Sequence, residues 1–494
     1  MKLIDLLAAQ PQYRIASGPE SRRVAKLRYD SRQVEAGDVF FAWKGKATDG
    51  HRYIPDVCER SAAAVVCEDP AMASGGHDVT YVLVPNARHA LARMAAAYFG
   101  RPDRKLSLIG VTGTNGKTTT CFILKHLLAE DPATVGLIGT VQYEVGGRIL
   151  PARRTTPESL DFHELLSQMA SAGCEHVVME ASSHALQQGR LLPVDFQIGV
   201  FTNLSQDHLD YHGTLESYLE AKTLLFRNLD REVEPGVAVL NADDPAGEEI
   251  AARLSQRVRL LRYSTEGPAD LSARDITFSA EGTAGTLVWE GREHAFSTPL
   301  VGSFNLSNTL AAAAAALAAG IGIEAVAARL DTVPAVPGRL ERFVSGAGFT
   351  VVVDYAHTDD AVRKALASLR GITRERLIAV VGCGGDRDRF KRPKMAQAAV
   401  EGADLAIFTA DNPRGEEVGA ILEDMAAGVP EATNYRTIPD RREAIAEALA
   451  LAGPGDVVCV AGKGHETYQE INGMFLPFDD RKVVREFLDL RQTS

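Results

Sequence analysis

Short apolar runs bounded by polar turns open the chain, at residues 39–43, 63–67 and 79–84, and a helical pattern follows over 87–99. Together they predict a small mixed α/β unit. Gly100-Arg-Pro-Asp-Arg104 reads as a linker. From Lys105 the pattern changes to strand–helix alternation. Residues 106–111 predict a strand and 118–128 a helix. Further strand-like runs lie at 134–140, 176–179, 197–202 and 236–240, with helical stretches such as 160–172 and 215–229 between most of them. Apolar strands spaced by helices imply a parallel sheet covered on both faces. Pro334-Ala-Val-Pro-Gly338 is the next break. After it, strand-like runs at 349–353, 377–381, 405–408 and 457–460 predict a second, Rossmann-like α/β unit.

The pattern therefore divides the chain into three α/β domains, 1–104, 105–338 and 339–494. A length of 494 residues agrees with this at about 150 residues per domain. Charge narrows the partners. Lys and Arg total 53 against 65 Asp and Glu, and the net charge of −12 disfavours a protein built to coat nucleic acid or an anionic membrane. Small anionic ligands need only a local positive pocket. The six cysteines form no CxxC pair, and the N-terminal apolar stretch breaks at Asp5. The longest Ala-rich stretch, 310–319, is about half a membrane span. A soluble, cytoplasmic protein without a membrane span is the expectation, acting as a monomer and without nucleic acid.

The sharpest chemical feature is Gly113-Thr-Asn-Gly-Lys-Thr-Thr119, placed after a strand and opening a helix. Glycines let the backbone wrap phosphate oxygens, and the helix N-terminus points N–H groups at them. Gly113, Thr114, Asn115, Gly116, Lys117, Thr118 and Thr119 thus form a candidate ATP site. Lys117 would neutralise phosphate charge and the Thr118 hydroxyl would hold Mg²⁺. Glu180 and His208 follow strand ends, where ligands bind in open α/β sheets, and suit Mg²⁺ as well.

This variant loop resembles that of the Mur ligase family of ATP-dependent amide synthetases. Met179-Glu-Ala-Ser-Ser-His184, Thr202-Asn-Leu-Ser-Gln-Asp-His208, Tyr218-Leu-Glu-Ala-Lys222, Asn241-Ala-Asp-Asp244, Gly302-Ser-Phe-Asn-Leu-Ser-Asn308, Pro337-Gly-Arg-Leu-Glu341 and Asp354-Tyr-Ala-His357 extend the match in order. The resemblance implies an acyl-phosphate mechanism with ATP and two Mg²⁺. It implies that Lys222 is carbamylated and joins Thr118, Glu180 and His208 at the metals. It places Asn241, Asp244, Asn305 and Asn308 near the nucleotide base, and Arg339 and Asp354 near the phosphates.

Three segments resemble the branch that adds meso-2,6-diaminopimelate to UDP-N-acetylmuramoyl-L-alanyl-D-glutamate. Asp30-Ser-Arg32 implies a uridine-diphosphate domain with Ser31 in contact. Thr155-Thr-Pro157 implies a strip gripping the sugar-peptide, joined by Thr156, Ser182, Gln188 and Arg190. Asp411-Asn-Pro-Arg414, with Arg387, Gly462 and Glu466, implies the amino-acid pocket. Arg387 and Arg414 would bind carboxylates, because a planar guanidinium matches them two bonds at a time. Asn412 and Glu466 would accept from the distal ammonium, with Asp411 and Pro413 shaping the turn. Phe390 departs from a glycine the resemblance expects, and Arg154 from an asparagine. A lysine-adding relative is the alternative within the family and a folylpolyglutamate synthase a remoter one. A non-catalytic ATP-binding module is the alternative from another class.

Overall fold

The computed structural model describes residues 1–45, 48–73, 78–231 and 234–492. The chain divides into two compact units. The first comprises Met1–Tyr263 with Ala314–Gly320; the second takes Ser264–Ala313 and the chain from Ile321 on. Among the described residues no helix is long and apolar enough to cross a membrane.

The first unit holds two sheets. The N-terminal sheet runs Arg14–Ser17, Thr80–Leu83, Ala64–Cys67, Val39–Ala42, Leu27–Arg28, with only the first pairing antiparallel. Its three central strands are buried throughout, which is why they read as unbroken apolar runs. In the larger sheet, parallel strands run in the order Arg259–Ser264, Val237–Asn241, Ile198–Phe201, Ser107–Thr112, His176–Glu180, Val135–Ile138. An antiparallel pair, Gln142–Val145 and Arg148–Pro151, extends it.

Ser107–Thr112 therefore lies between Ile198–Phe201 and His176–Glu180, so loops leaving three adjacent strands meet at their C-terminal ends. The helix Lys117–Leu128 covers this sheet with Ile123, Leu124 and Leu127 fully buried. Each such side chain contributes roughly 2 kcal/mol of burial.

The second unit carries a six-stranded sheet in the order Glu341–Val344, Thr350–Asp354, Val457–Ala461, Leu377–Cys383, Leu405–Ala410, Tyr435–Thr437, antiparallel only at its first pair. Asp354, the 411–414 loop and the 462–466 loop thus leave the same edge of one parallel sheet. A separate hairpin joins Tyr468–Ile471 to Met474–Pro477.

The structure corrects three details. The run at 134–140 stops as a strand at Ile138, because the chain turns at Gly139. A side chain there would sit 2.6 Å from the Glu180 carboxylate. Residues 100–104 are pinned and not a loose connection: Asp103 is fully buried, and Arg101 pairs with it at 2.6 Å and with Asp195 at 3.3 Å. Antiparallel strands at Leu271–Phe278, Thr283–Trp289 and Arg292–Thr298 carry no apolar run, since most of their side chains are exposed or half-buried. Their sequence signal is in the turns: Gly282, and Glu290-Gly291, both at positive φ as a tight hairpin requires.

Candidate active site

The 113–116 loop is strapped to the neighbouring strand end. Thr114 N donates to Asn203 O at 2.8 Å, Asn115 N to Asn203 Oδ1 at 3.0 Å, and Thr202 Oγ1 to Asn115 O at 2.6 Å. Gly113 must be glycine: a Cβ would fall 1.8 Å from Thr202 Oγ1, and its φ is +151°. Gly116 sits at φ +86° and turns the chain into the helix. Lys117 Nζ folds back to donate to Gly113 O and Thr114 O, each at 2.8 Å. The ammonium is thereby held over the loop where phosphate oxygens would lie.

Glu180 is 1% exposed. Its Oε1 accepts from Thr118 Oγ1 at 3.0 Å and from Thr140 N at 2.7 Å, and its Oε2 from Thr140 Oγ1 at 3.0 Å. A carboxylate and a hydroxyl at a helix start suit Mg²⁺, which takes one or two carboxylates and completes its shell with phosphate oxygens and water. Among the described residues no group of three or more His, Cys, Asp or Glu could hold a metal by itself. Of the expected set, Thr118 and Glu180 are in direct contact, while Lys222 and His208 both lie against Tyr218. His208, half-exposed at φ +53°, begins a short helix 3.6 Å from Asp207. Its ring meets His184 at 5.0 Å and Tyr218 at 6.1 Å. Burial and then the charge of His208 lower His184 to about 4, so its imidazole is neutral at neutral pH.

Lys222 is 1% exposed, and its Nζ lies 3.9 Å from the centre of the Tyr218 ring. Burial first, and the charge of Lys117 second, hold its ammonium well below the ordinary lysine value, against an opposing pull from Asp207. A buried lysine in that state is an amine able to react. Tyr218 is the residue beneath it that sequence reading did not single out.

The segment proposed to grip the sugar-peptide is internally bonded. Thr156 Oγ1 donates to Glu180 O at 2.6 Å and accepts from Ser182 N at 3.1 Å. Thr155 and Thr140 share a bond at 3.0 Å. Ser182 Oγ caps its helix at Ala185 N. Arg190 is buried. It donates to Thr156 O at 3.0 Å and to Gln188 Oε1 at 2.9 and 2.6 Å, and lies 3.2 Å from Glu158. Glu158 thus already faces the Arg190 charge. Arg154, half-exposed, shares Glu158 at 3.0 Å. Ser31 begins a short turn whose N-cap is Asp30, and its carbonyl accepts from Arg60.

Asn241 and Asp244 brace the same region. Asn241 Nδ2 donates to Thr202 O at 2.8 Å, and Asp244 accepts from Leu204 N at 2.7 Å while capping its own helix at Ala246. In the second unit, Asn305 and Asn308 bond each other at 3.2 Å along their helix. Arg339 stacks 4.6 Å over Tyr355. Asp354 accepts from Leu340 N and Ala356 N, each at 2.8 Å, and burial raises its carboxyl against the pull of Arg339.

The 411–414 and 462–466 loops form one ionic cluster. Lys463 is fully buried; its Nζ donates to Asn412 Oδ1 and Glu466 Oε2, each at 3.0 Å, and lies 3.6 Å from Asp411. Asn412 Oδ1 also accepts from Glu470 N at 3.0 Å, and its Nδ2 donates to Glu466 at 2.9 Å. Asn412 is thus bonded within the protein, and both nearby carboxylates, Glu466 and Asp411, face the Lys463 ammonium. Arg414 and the exposed Arg387 supply cations; Pro413 shapes the turn and Gly462 leads into the second loop at φ +117°. Lys463 lies between the expected Gly462 and Glu466, and only its burial against Asp411, Asn412 and Glu466 shows its place in the cluster.

Comparisons with known proteins agree along the chain. Residues 23–99 match the Mur ligase family catalytic domain, 111–316 the Mur ligase middle domain, and 338–464 the Mur ligase glutamate ligase domain. UDP-N-acetylmuramoyl-L-alanyl-D-glutamate–2,6-diaminopimelate ligase of Geobacillus kaustophilus is 48% identical over 489 residues, covering 98% of this chain and 99% of that one. The relative of that name from Gloeobacter violaceus is 47% identical, covering 95% of each. A solved structure of a ligase of that name is 35% identical, with a TM-score of 0.72 over 100% of both chains. The MurF ligase of Thermotoga maritima in complex with ADP shares the fold: TM-score 0.61, 20% identity, 96% of this chain and 99% of that one.

Proposed function

The chain belongs to the Mur ligase family, and from that premise we propose how its residues perform the reaction. It is an ATP-dependent amide ligase that adds meso-2,6-diaminopimelate to UDP-N-acetylmuramoyl-L-alanyl-D-glutamate in peptidoglycan precursor synthesis. The observation that carries the choice of amino acid is the near-full-length likeness to diaminopimelate-adding ligases, and the Arg414–Glu466 pocket gives it a chemical reason.

The D-glutamate γ-carboxylate attacks the γ-phosphorus of ATP, and ADP leaves an acyl phosphate. The amine of the amino acid then attacks the carbonyl carbon, loses its proton, and phosphate departs. Lys117 moves from the Gly113 and Thr114 carbonyls to phosphate oxygens and balances charge there. Thr118, Glu180, His208 and a carbamylated Lys222 would hold Mg²⁺, which when bound neutralises the triphosphate and polarises its oxygens. Asn241, Asp244, Asn305, Asn308, Arg339 and Asp354 serve the nucleotide. Ser31, Thr155, Thr156, Ser182 and Gln188 serve the UDP-sugar-dipeptide, with Arg190 positioning Thr156 and Gln188. Arg387 and Arg414 take the carboxylates of diaminopimelate and Glu466 its distal ammonium. Residues 1–104, 105–338 and 339–494 are the three functional domains, and the protein works as a cytoplasmic monomer.

A phosphate-release assay with ATP, the UDP-sugar-dipeptide and either diaminopimelate or lysine tests this reading. Release that depends on diaminopimelate and is far slower with lysine is expected; comparable release with both amino acids contradicts the pocket assignment.

Carbamylation has its own test. Once deprotonated, the Lys222 amine would add to CO₂, forming one C–N bond and releasing one proton, so that the amine becomes an anionic carbamate. Intact-mass measurement at high bicarbonate should show the adduct in the wild type and not in Lys222→Ala. Full activity in Lys222→Ala rules the assignment out.

A further inference from the structure

Arg414 adopts φ +52°, a left-handed conformation that L residues rarely hold without support. The support comes from one hairpin. Arg414 N donates to Glu470 O at 2.9 Å, and Asn472 N donates to Arg414 O at 2.7 Å. The same hairpin fixes the side chain: Arg414 Nε donates to Glu470 Oε2 at 3.0 Å, while Nη1 donates to Gly385 O at 2.8 Å. Two edges of the guanidinium are thus committed, leaving Nη2 and one Nη1 hydrogen for a ligand. Glu470 N also bonds Asn412, so one residue touches both neighbours in the pocket.

We propose that Glu470 is a positioning residue for the amino-acid substrate, presetting Arg414 to receive the distal carboxylate of diaminopimelate. The inference rests on the substrate reading above. Two effects compete. The Glu470 carboxylate offsets the charge of Arg414, which weakens its pull on an anion. It also fixes a long, flexible side chain in the geometry that a two-bond contact needs. Both side chains are about one-fifth exposed, at 21% and 24%. Screening at that exposure is only partial, but a long side chain released from its carboxylate partner loses its fixed orientation outright. Orientation is therefore the larger effect.

The experiment compares wild type, Glu470→Ala, Glu470→Gln and Arg414→Ala by phosphate release, with melting temperatures alongside. Glu470→Ala should raise the KM for diaminopimelate about tenfold, with kcat and the KM for ATP little changed. Glu470→Gln keeps an acceptor for Nε and should stay within about threefold of wild type. Arg414→Ala should raise the diaminopimelate KM at least as far as Glu470→Ala. An unchanged or lower diaminopimelate KM in Glu470→Ala overturns the inference. So does an equal rise in the KM for ATP, or a glutamine variant as impaired as alanine. Absence of diaminopimelate-dependent release in the wild type overturns the substrate reading instead.

Discussion

Replacing Lys117 with alanine should lower kcat for diaminopimelate-dependent phosphate release about a thousandfold, the upper range for removing one preorganised charge from a reacting centre. Its ammonium is placed by two carbonyls of the loop that would wrap the phosphates, Gly113 O and Thr114 O, each at 2.8 Å. Charge on the transferring phosphoryl group is greatest in the transition state, so the loss should fall on kcat more than on the KM for ATP. Lys117→Arg should recover little, because a planar fork cannot reproduce a compact ammonium folded over the loop. Melting temperature should move by only a few degrees, since the helix Lys117–Leu128 is held by Ile123, Leu124 and Leu127. A variant within tenfold of wild-type kcat would remove Lys117 from the chemical step.

The second large effect is on stability. Arg441 and Asp480 are both buried and joined by two bonds of 2.8 and 2.7 Å. Arg441 also donates to Ala410 O at 3.1 Å and Ala461 O at 2.9 Å. Those carbonyls end the strands that deliver the 411–414 and 462–466 loops. Arg441→Met leaves a carboxylate buried without its partner and should destabilise the protein by about 3–5 kcal/mol. Removing both charges, as Arg441→Met with Asp480→Leu, should recover part of that, because the desolvation cost disappears with the pair. Denaturant midpoints for the singles and the double measure it. Singles that cost under about 1 kcal/mol would show that the pair is held apart from the structure around it. The double variant should also bind diaminopimelate more weakly, because no guanidinium would bridge the Ala410 and Ala461 carbonyls at the two strand ends.

The parallel strands were legible because burial on both faces demands unbroken apolar runs, as in Leu377–Cys383. The turn into the helix at Lys117 was legible because Gly113 and Gly116 take positive φ values that other residues rarely adopt. The strands over 271–298 were not, because exposure frees them from an apolar requirement. Arg190 and Asn412 are expected from the sequence to bind substrate, and their many bonds to the protein itself could not be read from it. Residue type says what a side chain can do; its neighbours decide what capacity is left.

The sequence by itself determined the α/β alternation, the strand and helix on either side of the 113–116 turn, and the ligase family it resembles, since each follows from residues close together in the chain. Only the tertiary structure decided that Lys222 is buried on Tyr218, that Lys463 is buried between Asp411 and Glu466, and that Glu470 pairs with Arg414. Those outcomes depend on desolvation and on partners brought together by packing. A distant charge acts only once folding has removed the water between it and its partner.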